Sequence, residues 1–394
     1  MVRVFEIVRG SGPVTRQQIG ELSGLSKPTV NEALDALLEG KLIYLGKAKV
    51  ESIGGKPGPK AQQIFYNGSR LKIIGIDIGG SRIRELISDL DGNIIASSRS
   101  QTPHSGGRIG ILKEIAEITA KMLEDSRLKI SDIGVIVVGT PGTVNPETGT
   151  VTIAHNMPDW NNFPLAKELS KLLKTEVLVE NEAHLAIYGE NWKGSAKKIN
   201  NAAAMSIGVG IGLGLLIDGK VYRGFNGIAG EVGNLPLQIT SAKSPATNAN
   251  YEYQASAAGL ERNFHELQTK TEAKEIIALA NGEAVTAKLI YAAASTGNEL
   301  AIKLVDQQLE LLSRGIASVC CITNPEIFIL HGGLAPSLVP HLKTIAKKVG
   351  QIALVPPRIV VSELSDLSTT YGALRRGIEK VDRETLTAML QKSA

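Results

Sequence analysis

Cysteine is nearly missing from this chain of 394 residues: Cys320 and Cys321 are the only two, adjacent inside an apolar run. That scarcity excludes a disulfide framework and a cysteine-ligated metal site. It predicts two buried thiols in a reducing compartment, the cytoplasm. Aromatic residues are also few, at 4%, which suits a soluble α/β protein. No apolar run reaches the ~18 residues that a membrane span needs. The first residues lack a signal-peptide pattern, so no membrane partner is expected. Length is the one thing in surplus, since a chain this long exceeds one ordinary core and predicts two or three domains.

Net charge is modest, +4 at pH 7, but it is placed unevenly. Residues 1–70 hold 10 Lys and Arg against 6 Asp and Glu, so the excess of the whole chain sits in that segment. An excess this small usually marks only a solvated surface. The pattern around it says more. Val2, Val4, Phe5 and Val8 form one short amphipathic helix, ended by Gly10-Ser11-Gly12-Pro13. Thr15 caps a second helix with Ile19 and Leu22 on its buried side, and Gly24 permits a tight turn. Ser26 caps a third, with Lys27 and Pro28 in its first turn and Val30, Ala33, Leu34 and Leu37 inward. Leu42-Ile43-Tyr44-Leu45, the basic stretch GKAKVESIGGKPGPK and Gln63-Ile64-Phe65-Tyr66 then read as a β-ribbon.

Helix, helix, turn, helix and ribbon is the winged helix-turn-helix plan, which lays its third helix in the major groove of double-stranded operator DNA. A three-helix protein-interaction module is the plainer alternative, but helix spacing, turn glycine and basic wing agree on DNA. On that plan Arg16, Lys27, Lys47, Lys49, Lys56 and Lys60 lie towards DNA, the wing lysines and Arg16 on phosphates. Thr29 and Asn31 are the expected readers of base edges.

Beyond residue 70 the character changes. LKIIGIDIGGSRIRELISDLDGNIIASS reads as strand, Gly-Gly turn, strand, Asp91-Gly92 turn and strand; AAAMSIGVGIGLGLLIDGKVYRG repeats that order with Asp218-Gly219. Two such units predict a duplicated fold with glycine turns facing across a cleft. There, exposed backbone N–H groups at Gly79, Gly80, Ser81, Gly208 and Gly210 can cradle phosphate oxygens, with Asp77 beside them. Either cluster alone could merely tighten a hairpin. Together they resemble the actin-like ATPase and sugar-kinase arrangement.

Seven stretches, in this order, resemble the ROK family of bacterial sugar kinases and sugar-responsive repressors. They are Asp77-Ile78-Gly79-Gly80-Ser81, Gly139-Thr140-Pro141-Gly142, Asn156-Met157-Pro158-Asp159-Trp160, Glu180-Asn181-Glu182-Ala183, Gly208-Val209-Gly210-Ile211-Gly212, Gly230-Glu231-Val232-Gly233-Asn234, and Asn324-Pro325 leading to Gly332-Gly333. The resemblance covers essentially the whole chain, and GGKPGPK looks like an element of the family's repressors. It implies an α/β fold of two actin-like lobes with a cleft, preceded by a winged helix-turn-helix domain. The expected division is 1–68 for DNA binding, 71–190 for the first lobe, with a C-terminal helix 376–394 returning to it, and 191–375 for the second.

The resemblance also implies a sugar site at Asn156, Asn181, Glu182, Glu231, Asn234 and Glu252, whose amides and carboxylates can bind a ring of hydroxyls. Departures from the kinase pattern cluster there. Glu182 stands where kinases of the family carry the Asp that takes the sugar proton, and a shift of ~1 Å can cost ~10²-fold in rate. Val209 replaces a hydroxyl in the second phosphate turn, and Leu213 replaces a glycine expected to allow close backbone approach. Asn234 stands at a zinc-ligand His position, and TSAKSPATNANYE holds no cysteine, so no zinc and no other metal is expected. These residues predict a sugar-responsive transcriptional regulator, of repressor type, that binds a monosaccharide without phosphorylating it. An ATP-dependent sugar kinase, with Mg-ATP as cofactor and Glu182 as base, is the alternative; a ligand-free DNA-binding protein is a third. An operator with two half-sites implies a homodimer or higher homo-oligomer, for which the helical pattern from Glu299 to Ser318 is the candidate contact.

Overall fold

The computed structural model describes residues 1–47, 62–103, 105–154, 157–236 and 250–393. Its N-terminal part is built by local signals. Helix Val2–Ser11 buries Val4, Phe5 and Val8. Thr15 closes a reciprocal cap with Gln18 at the start of helix Arg16–Ser23, and Gly24 ends that helix at φ 68°, the left-handed region. Ser26 caps helix Lys27–Glu39, which buries Val30, Ala33, Leu34 and Leu37. Leu22, expected inside, is 55% exposed. The buried stripe of this short helix runs instead through Ile19 and Ser23, four residues apart on one face. Strands Ile43–Lys47 and Gln62–Tyr66 pair antiparallel, Ile43 opposite Tyr66.

Two five-stranded sheets follow, with the same layout. In the first, the order is Ile94–Gln101, Arg82–Asp89, Lys72–Ile78, Ile133–Thr140, Val177–Asn181. In the second it is Lys220–Val221, Ile211–Ile217, Ala202–Ile207, Ile327–His331, Arg358–Val361. Each begins as an antiparallel meander and adds two parallel strands on the other side of its first strand. The inner parallel strands Ile133–Thr140 and Ile327–His331 read as apolar runs because both their faces are covered, whereas the edge strand Arg358–Val361 is only partly buried.

Helices Glu182–Lys193 and Ser368–Ser393 form the partition between the sheets. Leu185 packs with Ile73, Val135 and Val137 of the first sheet, whereas Ile187 packs with Ala202, Ala204 and Leu216 of the second. The two helices cross backbone against backbone: a side chain at Gly372 would overlap the Leu185 carbonyl, so only glycine fits.

The last helix begins at Ser368, earlier than the sequence suggested, and runs beyond the sheets into the N-terminal core. There Leu386 is buried among Val4, Phe5 and Val8, with Met389 packed beside it. Asp382 anchors the same contact. It accepts from the Tyr66 hydroxyl at 2.8 Å and from Arg70, and Arg9 reaches its other oxygen at 2.9 Å. Cys320 is buried but Cys321 is exposed, against expectation. Consecutive residues on helix Glu299–Thr323 point about 100° apart, so one core-facing stripe cannot take both. Among the described residues no helix is long and apolar enough to cross a membrane.

Candidate functional site

Strand Val177–Asn181 hands over directly to the partition helix, and this junction fixes the central residues. Asn181 caps the helix: its Oδ1 accepts from the N–H groups of Ala183 at 2.9 Å and His184 at 3.3 Å, and its Nδ2 donates to the Gly142 carbonyl at 2.8 Å. Its amide thus ties the 139–142 turn to the helix start.

Glu182 is the first helical residue, and its Oε2 is buried with no hydrogen-bond partner. Burial pushes its carboxyl well above the ordinary range, and the negative charges of Asp77, Glu231 and Glu252 push in the same direction. The fold has therefore gathered carboxylates from both lobes around one orphaned oxygen. Glu252, on helix Tyr251–Ala255, accepts from the Ile211 N–H at 2.8 Å, which fixes it just past the second glycine turn. Glu231 precedes the short turn Val232–Asn234 and Asn234 ends it, and both are exposed. Asn156 lies outside the described residues. A ligand bearing several hydroxyl groups suits such convergent acceptors.

The two glycine turns leave backbone open to solvent. A methyl group on Gly80 or Gly208 would meet nothing within 4 Å. Gly79 N–H donates to Arg82 O at 2.9 Å, Thr102 N–H donates to Ser81 O at 3.0 Å, and Gly208 N–H donates to Gly210 O at 3.0 Å. Val209 is 58% exposed. Leu213 does not crowd this turn as expected. It lies on strand Ile211–Ile217 and points into the core with Met205 and Tyr251.

Asp77 already has a cation. Arg84 reaches it at 3.1 Å and reaches Asp366 at 3.0 Å, and Arg99 pairs with Asp366 as well. Burial outweighs Arg84 and pushes Asp77 up to about 6. A metal-bound nucleotide needs a free carboxylate at this turn and donors around its phosphates. Gly79 and Gly208 spend their N–H groups inside the turns, so only part of the expected cradle is left for phosphate oxygens, and the Arg84–Asp77 pair and the Val209 methyls do not fit the metal and its phosphate. The loop expected to lack zinc, 237–249, lies outside the described residues. Among those described, no group of His, Cys, Asp or Glu is placed to hold a metal.

Sequence reasoning missed Glu180. Burial alone would raise its pKa, but Arg223 at 2.8 Å and Arg376 at 2.5 Å hold it below the ordinary range. The one available signal was a carboxylate closing a buried apolar strand. The residues assigned to DNA fall on the N-terminal part. Lys27 and Thr29 are exposed at the start of helix Lys27–Glu39, and Arg16 donates to Asn31 Oδ1 at 2.8 Å. Lys47 ends the first ribbon strand, and Lys49, Lys56 and Lys60 lie outside the described residues.

The chain is similar to a glucokinase of Thermotoga maritima, 30% identical over 268 residues, which are 68% of this chain and 83% of the relative. A xylose repressor of Caldicellulosiruptor bescii is 26% identical over 377 residues, 94% of this chain and 93% of that one. Among solved structures, a ROK family glucokinase from Streptomyces griseus in complex with glucose and AMPPNP matches with a TM-score of 0.68 at 25% identity, over 77% of this chain and 98% of that one. A ROK family transcriptional regulator, homolog of the E. coli MLC protein, matches in fold with a TM-score of 0.78 at 20% identity, over 99% and 98%. The model of the ROK family matches residues 73–375, and the chain belongs to that family.

Proposed function

We propose that this chain is a sugar-responsive transcriptional regulator, a repressor that acts in the cytoplasm as a dimer and binds a monosaccharide at Glu182 without zinc or Mg-ATP. The observation that carries the reading is the Arg84–Asp77 ion pair, an internal cation on the carboxylate a metal-bound nucleotide would need. The xylose repressor's similarity covers 94% of the chain, whereas the glucokinase's covers 68%. In this reading residues 1–68 are a winged helix-turn-helix domain, and 71–190 and 191–375 are the two lobes. Helix Lys27–Glu39 enters the major groove, Thr29 and Asn31 read base edges, and Arg16 orients Asn31 by holding its Oδ1. That leaves the Asn31 Nδ2 to donate. Asn156, Asn181, Glu231, Asn234 and Glu252 surround the sugar with Glu182.

The glucokinase relative favours a second reading, an ATP-dependent sugar kinase with Glu182 as base. Thermal shift over hexoses and pentoses, with and without Mg-ATP, separates the two, because a ligand of the folded state stabilises by RT ln(1 + [L]/Kd). The expected result is a melting shift with one sugar, no further shift with Mg-ATP and no phosphoryl transfer. Steady-state turnover near ~10 s⁻¹, ordinary for an enzyme, overturns the regulator reading in favour of the kinase.

A further inference from the structure

Glu190 is fully buried near the end of helix Glu182–Lys193, and neither the sugar site nor the N-terminal part uses it. Straight after that helix the chain passes from the first sheet to the second. It returns between strand Arg358–Val361 and helix Ser368–Ser393, whose Ala373, Leu374 and Ile378 pack on the first sheet. One carboxylate holds both passages. Its Oε2 accepts from the Ser195 N–H at 2.9 Å on the outgoing passage. Its Oε1 accepts from the Ser362 hydroxyl and, at 2.6 Å, from the Ser368 hydroxyl on the returning one. A methyl group on Gly194 would lie 2.3 Å from Oε2, so the outgoing passage can close round the carboxylate only with glycine there. The passages also meet directly, where the Glu363 N–H donates to Ser195 Oγ at 3.4 Å. The partition helices run close at the same place, since a side chain on Gly189 would overlap the Ser368 carbonyl.

We propose that Glu190 is the pin of a hinge between the lobes and fixes the angle at which they face each other across the cleft. A hinge consists of the few residues at element ends where two rigid bodies join. Here those residues lie on two separate passages, and a swing of one lobe has to move them relative to each other. A buried acceptor that loses its donors is costly, so the shared carboxylate resists that movement. Asp77 and Glu182 stand on one side of the cleft and Glu231 and Glu252 on the other, so the angle sets the width of the site they surround. The inference needs only a cleft between two lobes. It stands or falls apart from the regulator reading, because a kinase would use the same hinge.

Pulsed electron spin resonance on the full chain, without sugar or DNA, reads the angle. One spin label goes on Lys121→Cys, exposed on helix Gly107–Asp125 of the first lobe, and one on Lys274→Cys, exposed on helix Ala273–Leu279 of the second. The background is Cys321→Ser, and labelled chains are diluted in unlabelled ones so that only distances within a chain are read. The chain with Glu190 intact should give one narrow distribution. Glu190→Gln keeps the shape but offers an N–H where the Ser195 N–H needs an acceptor. Ser368→Ala removes one donor from the returning passage. Each should at least double the width of the distribution or add a displaced second population. Ser313→Ala deletes another buried hydroxyl, on helix Glu299–Thr323, and should leave the distribution as it is. Cooperative melting shows that each variant folds; if Glu190→Gln does not, Ser368→Ala, which loses one neutral hydroxyl, carries the test. A broad distribution with Glu190 intact, an unchanged one in the folded variants, or equal broadening by Ser313→Ala each overturns the proposal.

Discussion

Glu182 sets the chemistry of the cleft. Burial and three neighbouring acids push its pKa well up, which favours the protonated form, a donor as well as an acceptor. Sugar affinity should then fall as pH rises through that raised pKa. Glu182→Gln, neutral at every pH, should bind the sugar within a few-fold of wild type and lose this pH dependence in titration calorimetry. Glu182→Ala should lose ~1–3 kcal/mol of binding, the cost of leaving a buried sugar hydroxyl without its partner. Glu85 gives a second, independent test. It is fully buried between its strand and helix Gly107–Asp125, accepts from Thr119 at 2.9 Å, and burial pushes it up to about 8 from 4.5. The folded chain holds this proton where the unfolded chain releases it, so stability is lost as pH rises from 4.5 to about 8. Glu85→Gln should flatten that loss, by roughly a few kcal/mol at the alkaline end, in denaturant titrations at several pH values. The sequence marked Glu182 through its place in a motif, but nothing local marked Glu85. It sits in an ordinary strand, and only packing against a helix some thirty residues on makes it a buried acid.

Elements whose signals are local could be anticipated. The caps at Thr15 and Ser26 and the left-handed Gly24 are decided within four residues, and the structure forms them where the sequence indicates. Contacts across the chain could not. Asp382 lies 312 residues from Arg70 and 316 from Tyr66, so no periodicity foretells their meeting. The same holds for Asp366, which meets Arg84 across 282 residues, and for the run of helix Ser368–Ser393 into the N-terminal core. Removing one partner of a buried ion pair costs ~3–5 kcal/mol. Asp382→Ala should therefore loosen the N-terminal part, seen as faster amide exchange in helix Val2–Ser11. It should lower operator affinity although Asp382 touches no residue assigned to DNA, and it should leave sugar-induced stabilisation in place.

At the scale of the whole molecule, the repeat of strand, glycine turn and strand announced two sheets of like order, and the structure has them. What divides them was hidden, because glycines such as Gly372 show their purpose only once another backbone lies against them. The partition helices matter for more than packing. Ser368–Ser393 touches the cleft at one end, where Thr369 donates to the Glu182 carbonyl at 3.3 Å, and enters the N-terminal core at the other with Leu386. On the proposed reading this helix connects the sugar site with the DNA-binding part and is the route by which the two equilibria are coupled; the thermodynamic cycle they form has to close. If sugar changes operator affinity by some factor, operator DNA must change sugar affinity by the same factor, whichever way the effect runs. Titrating sugar into the free chain and into the operator complex should return matching ratios, and Asp382→Ala should bring both ratios towards one together.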